Sequence, residues 1–208
     1  MKKFALLALL LTVGTVAGRA QESRQDISAS GSVMIEPFVN STTNVKVASK
    51  RGLGALLSYR FMLTPRGAVE ANYAYSQNTI HYHATSYQNG IQINTRTQEV
   101  SAAYVYNFNF HNFNPFLEAG GGALLWGQIR NLATQTDDAK SQTTIVGVYG
   151  GGIAYEISPS FDIRAEYRGI VSKVPDFGLA SNGGTGPNLN TNKYYNIYNP
   201  VIGIAYHF

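Results

Sequence analysis

Residues 161–168, FDIRAEYR, set Asp162, Arg164, Glu166 and Arg168 in strict alternation with Phe161, Ile163, Ala165 and Tyr167. A period of two belongs to a β-strand with two unlike faces. The charged face has to meet either water or other charges. In a soluble sandwich it would point to solvent and the apolar face to a core. In a closed membrane-spanning sheet the order inverts, with the apolar set toward lipid and the charges in a narrow interior.

The same partition recurs along the chain. Alternation marks eight strand candidates, at 27–38, 51–62, 67–80, 93–108, 115–129, 143–157, 161–173 and 194–208. Helical spacing is absent, and the abundant Gly, Tyr, Asn and Thr favour strands and turns. One face carries residues such as Leu53, Leu57, Tyr73, Val100, Tyr104, Leu117, Ile145 and Ile153. The other is small and polar and gathers Glu36, Glu70, Glu99, Glu118, Glu156, Asp162 and Glu166, with Arg60, Arg164 and Arg168 able to pair with them. Strands normally disfavour carboxylates. Their collection on one side predicts a polar interior of paired charges, and an eight-stranded barrel has just enough room for side chains to fill it. Acids outnumber bases on this face, so some carboxylates are expected to be hydrated, protonated or bonded to Tyr, Ser or Asn.

The N-terminus reads as an export signal. Met1-Lys2-Lys3 precedes the apolar run FALLALLLTVGTVAG and then GRAQ, which predicts a signal peptide over 1–20 with cleavage after Ala20. The run is shorter than the roughly 20 residues of a spanning helix. With Lys2, Lys3 and Arg19 removed from its 16 basic residues, the mature chain nearly balances its 12 acidic ones. That removes the electrostatic case for nucleic acid. There is no cysteine, hence no disulfide framework and no thioether lipid anchor. Nothing after Gly18 could span a membrane as a helix, so a membrane location requires a barrel over residues 21–208.

Connections and aromatics point the same way. TPRG, NFHNFN and SPS are tight turns at one end, whereas NSTTNVKVASK, HYHATSYQNGIQ, RNLATQTDDAKSQ and VPDFGLASNGGTGPNLNTNK are long polar loops at the other. Short periplasmic turns opposite long extracellular loops is the outer-membrane pattern. Phe61, Phe108, Phe110, Phe113, Phe116, Tyr155, Phe161, Tyr206 and Phe208 fall beside the turns. Tyr82, Trp126, Tyr194, Tyr195 and Tyr198 fall toward the loops. Two aromatic bands are what the two membrane interfaces select.

The last strand, NPVIGIAYHF, alternates Ile202, Ile204, Tyr206 and the terminal Phe208 on one face. It resembles the C-terminal signature that the outer-membrane assembly machinery reads in Gram-negative barrels. Together with the leader and the eight strands, the mature chain resembles the small barrels of the outer-membrane protein A transmembrane domain and its X-type relatives. The resemblance implies a monomeric eight-stranded antiparallel up-and-down barrel in the outer membrane, surrounded by its lipid. It implies a structural or surface-interaction role, through loops whose extracellular partner the sequence does not name.

Two other functions are weaker on the residues. A narrow pore is opposed by the charged interior. A lipid A-modifying enzyme could be assembled from His81, Ser86 and Asp137 or Asp138, but a triad is recognised by geometry. His81 and His83 lack the further ligands a zinc ion needs. The glycines of EAGGGALLWG and GVYGGGIAYE lack the strand–loop–helix setting of a phosphate cradle and suit close packing in a wall. The expectation is therefore a non-enzyme without cofactor.

Overall fold

The computed structural model describes residues 24–40, 45–49, 51–84, 87–110, 112–129, 140–179 and 189–208. The proposed leader and its cleavage point lie outside them. The strands are β1 (Gln25–Met34), β2 (Val39–Asn40), β3 (Val45–Ser49), β4 (Gly52–Met62), β5 (Gly67–Ala84), β6 (Tyr87–Asn107), β7 (Phe113–Gln128), β8 (Gln142–Ser158), β9 (Phe161–Lys173) and β10 (Tyr194–His207). All pairings are antiparallel. β1 lies between β4 and β10, and β5 pairs with β6, so β1 and β4 through β10 form a closed barrel of eight strands. In the remaining hairpin, β2 pairs with β3, and β3 pairs with the outer part of β5.

Three segments read as loop are strand. β3 continues the line of β4 along β5: Ser49 faces Ile80 and Leu53 faces Gln77, a slip of one residue across the break at 50–51. β5 and β6 extend toward each other to Ala84 and Tyr87, through the HYH and YQNGIQ segments. Asn89-Gly90 carries a strong turn signal, yet both residues lie within β6, between the Tyr82–Ile91 and Ala84–Tyr87 pairs where the register shifts. Spanning needs only about 9–11 tilted residues. The 18-residue β5 and 21-residue β6 therefore project beyond the apolar zone.

Burial follows the alternation. Ile145 is 85 % exposed and Leu53 77 %, while Arg168 is 0 % and Glu70 1 % exposed. A soluble chain would not present an unbroken outer surface of Leu, Ile, Val, Tyr and Phe. Phe161, Ile163, Ala165 and Tyr167 lie on that surface, while Asp162, Arg164 and Arg168 are buried and Glu166 is nearly so. The wall requires two inward glycines where it is crowded: a Cβ at Gly150 would meet Glu118 Oε1 at 2.8 Å, and one at Gly152 would meet Phe116 Cζ at 2.7 Å.

Alternation also corrects the aromatic bands. Phe116, Tyr82, Trp126 and Tyr195 fall on inward positions and are buried, so none belongs to an interface girdle. Ring type alone does not reveal the face; residue parity within the strand does.

Ala165 faces outward between Ile153 and Ile202. Ala165→Arg should cost about 2–4 kcal/mol of folding free energy if this face meets lipid. Denaturant titration in vesicles measures it, and an unchanged midpoint would remove lipid from this face.

Candidate functional site: the barrel interior and its outer mouth

The inward charges form three groups, two centred on Arg168 and Arg60 and a third nearer the turn end. In one, Arg168 is fully buried. Its Nη2 lies 2.9 Å from Glu99 Oε1, and its Nε lies 3.1 Å from Glu118 Oε1 and 3.2 Å from Glu166 Oε1. Ser101 Oγ donates to Glu99 at 2.6 Å. In another, Arg60 holds Glu70 through Nη2 at 2.6 Å and Nε at 2.7 Å, reaches Asn107 at 3.3 Å, and sits 4.7 Å from the centre of the Phe116 ring. Charge-assisted contacts of this kind are stronger than neutral hydrogen bonds.

Near the turn end, Arg164 Nη2 lies 2.8 Å from Asp26 Oδ2. This contact joins β9 to β1 across β10, over the fully buried Ala205. His207 Nε2 lies 2.8 Å from Asp162 Oδ2. Neither Asp26 nor His207 stood among the sequence candidates. Asp26 lies just before the expected strand start, and in the terminal strand it is the outward row that carries the family signature. Inward parity was the signal that could have found both. Glu156 also points inward, toward the turn end, and shows no ion pair among the described residues.

Glu36 stands apart. It follows β1 at the outer mouth and accepts a hydrogen bond from Asn78 Nδ2; Asn78 Oδ1 in turn accepts one from Thr95 Oγ1. No cation pairs with it among the described residues, and burial pushes its carboxyl up to about 7. Around and above it the interior turns apolar. Ile80, Ile93, Leu124, Trp126, Val146, Ile170 and Ile197 pack with Val174, Phe177 and Leu189 from the connection between β9 and β10. That connection is tied down by Tyr82 Oη donating to Pro175 O at 2.8 Å. Gln142 Oε1 accepts from the amides of Asp176 and Phe177, each at 3.0 Å. Phe177 holds a left-handed φ of 52°, a conformation that needs such anchoring. Between the ionic and apolar zones lies a cavity of ≈ 10 Å³, lined by Ser32, Met34, Ala74, Ser76, Thr97, Glu99 and Asn199. That is room for about one water.

Other candidates do not converge. His81 and His83 lie on the outward side of β5, opposite Ala48 and Lys46 of β3. Ser86, Asp137 and Asp138 lie outside the described residues. Ile202, Ile204, Tyr206 and Phe208 face outward in one row, with Tyr206 and Phe208 stacked at 6.1 Å.

Two measurements follow. Arg168→Ala strands three buried carboxylates and should cost about 3–5 kcal/mol by denaturant titration; a negligible loss would mean that the cluster is hydrated. The Glu36 proton is retained by the folded chain but lost by the unfolded one between the ordinary carboxylate range and about pH 7. Stability should therefore fall as pH rises through that interval and level off above it. Glu36→Gln should flatten this slope and be the more stable chain above about pH 7.

No curated protein matches the sequence. Among solved structures, Neisserial surface protein A is similar, with a TM-score of 0.59 and 16% identity, over 89% of this chain and 98% of that one. OprG, an outer membrane protein from Pseudomonas aeruginosa, is similar with a TM-score of 0.60 and 11% identity, over 88% and 95%. At such identities the likeness is one of fold. Residues 5–208 match the family described as outer membrane protein beta-barrel domain; the chain, an eight-stranded antiparallel barrel of the outer membrane, belongs to that family.

Proposed function

We propose that this barrel serves the cell surface through its outer loops and that its interior is closed to solutes. One observation carries the reading: Val174, Phe177 and Leu189 of the β9–β10 connection are buried inside the outer mouth, against inward residues of the wall. Below them the Arg168 and Arg60 clusters occupy the cross-section. A water-filled passage would need polar, hydrated walls along its whole length, and the outer half offers Ile, Leu, Val and Trp instead. The connections at that end rise from the long strands β5 and β6 and reach furthest from the apolar band. The similar Neisserial protein is named a surface protein, which agrees with this reading.

The chemistry of the interior also speaks against catalysis. Most of its carboxylates are engaged with guanidinium groups, an imidazole or an amide, and His81 and His83 point away from the lumen. The proposal is of a monomer delivered by the barrel assembly machinery after loss of residues 1–20.

Planar-bilayer recording tests closure. The native chain should show no steps above leak, and Phe177→Ala combined with Leu189→Ala should introduce them only when Arg168→Ala also removes the ionic layer beneath. Steady conductance by the native protein would replace this reading with a narrow pore. External protease should cut intact cells within residues 174–193; protection there would reverse the orientation.

A further inference from the structure

The small cavity in mid-barrel has an unusual wall. It carries the side-chain oxygens of Ser32, Ser76, Thr97, Glu99 and Asn199, drawn from β1, β5, β6 and β10. Ser76 and Thr97 are ladder partners, and Ser32 and Ser76 lie on either side of Gly54. A Cβ at Gly54 would meet Ser32 Oγ and Ser76 Cβ at 2.9 Å each. This glycine therefore keeps the space between the two serines clear.

The oxygens around the cavity are short of partners. Thr97 Oγ1 and Asn199 Oδ1 are screened from water and have no hydrogen bond among the described residues, where Thr97 is 1 % and Asn199 3 % exposed. Ser76 Oγ donates to Met34 Sδ at 3.5 Å, which leaves its lone pairs free. Glu99 gives Oε1 to Arg168 and Ser101, while its Oε2 has one long contact, 3.5 Å from Arg168 Nη1. A water molecule has two protons to give and cannot serve all of these acceptors. A cation serves every oxygen at once.

The charges beside the cavity ask for the same occupant. Arg168 is the one cation in a group with three carboxylates, Glu99, Glu118 and Glu166. The neighbouring Arg60 is matched by Glu70 and has nothing to spare. Surplus buried charge is costly. A proton shared between Glu118 and Glu166 would settle one of the two surplus charges, and one monovalent cation settles the other. A divalent ion fits poorly. Calcium takes about 6–8 oxygens and magnesium keeps several waters, whereas ≈ 10 Å³ admits about one water-sized body beside a single carboxylate.

We infer that Ser32, Ser76, Thr97, Glu99 and Asn199 form a binding site for one dehydrated monovalent metal cation of the size of sodium. The ion is enclosed as β1 meets β10, so its binding is read from folding and not from flow. The inference concerns occupancy of a site and not passage through the lumen, and the bilayer recordings leave it untouched.

The test refolds the full barrel into vesicles of zwitterionic lipid, with migration of unboiled against boiled protein as the check of folding. Unfolding is compared in Na⁺ and in N-methylglucamine, an organic cation too large for the cavity, at equal ionic strength. As Na⁺ replaces N-methylglucamine, the unfolding equilibrium constant should fall about tenfold for each tenfold rise in Na⁺ once the site fills. In N-methylglucamine alone it should stay level. Thr97→Val, which exchanges the unpartnered hydroxyl for a methyl, should remove the Na⁺ dependence. Ser76→Ala should weaken it, and Thr143→Val on the outward face of β8 should leave it unchanged. Equal stability of the native chain in the two salts would overturn the site and assign the cavity to water. A Na⁺ dependence kept by both folded variants, Thr97→Val and Ser76→Ala, would overturn it as well.

Discussion

Closure of the backbone ladder is the constraint on which everything else depends. In hydrocarbon each unpaired N–H or C=O costs several kcal/mol, so β1 must find β10, and the pairing of Asp26 with His207 through Ser32 with Val201 completes the ring. Once the register is closed, parity is no longer free. Each residue faces either lipid or lumen, and a slip of one position would invert a whole strand. The segregation of Leu, Ile and Tyr outside from Glu, Asp and Arg inside follows from that geometry together with the two environments.

The interior then obeys its own rule. A guanidinium withdrawn from water has to be met by carboxylates at close range, and Arg168 is met by Glu99, Glu118 and Glu166 at 2.9–3.2 Å. Gly150 and Gly152 contribute by what they lack, leaving room for Glu118 and Phe116. Arg164 reaches Asp26 because the strand between them presents Ala205. Small residues in this barrel make contacts possible in which they take no part.

Much of this was legible in the sequence, and the exceptions have physical causes. Alternation located the eight wall strands and the inward side of Glu70, Glu99, Arg164 and Arg168, because burial imposes the period directly. It gave no depth along the axis, so Glu36 looked like a member of the ionic network although it sits alone at the outer mouth. Aromatic identity misled where parity would not have, as Phe116 and Trp126 show. The Asn89-Gly90 signal marks no strand end: both residues lie within β6, at the register shift in its pairing with β5. The burial of Phe177 and Leu189 was out of reach, since a polar loop sequence carries no periodicity to say that two of its residues turn inward.

The placement of Trp126 has a practical consequence. It is the chain's single tryptophan, and it is 1 % exposed among the apolar residues of the outer mouth. In a barrel whose tryptophans sit at the lipid interface, indole emission reports on insertion. Here the same signal reports on the packing of the mouth. Quenchers carried on acyl chains would be blind to it, while any movement of the β9–β10 connection would register in the emission of the unmodified protein.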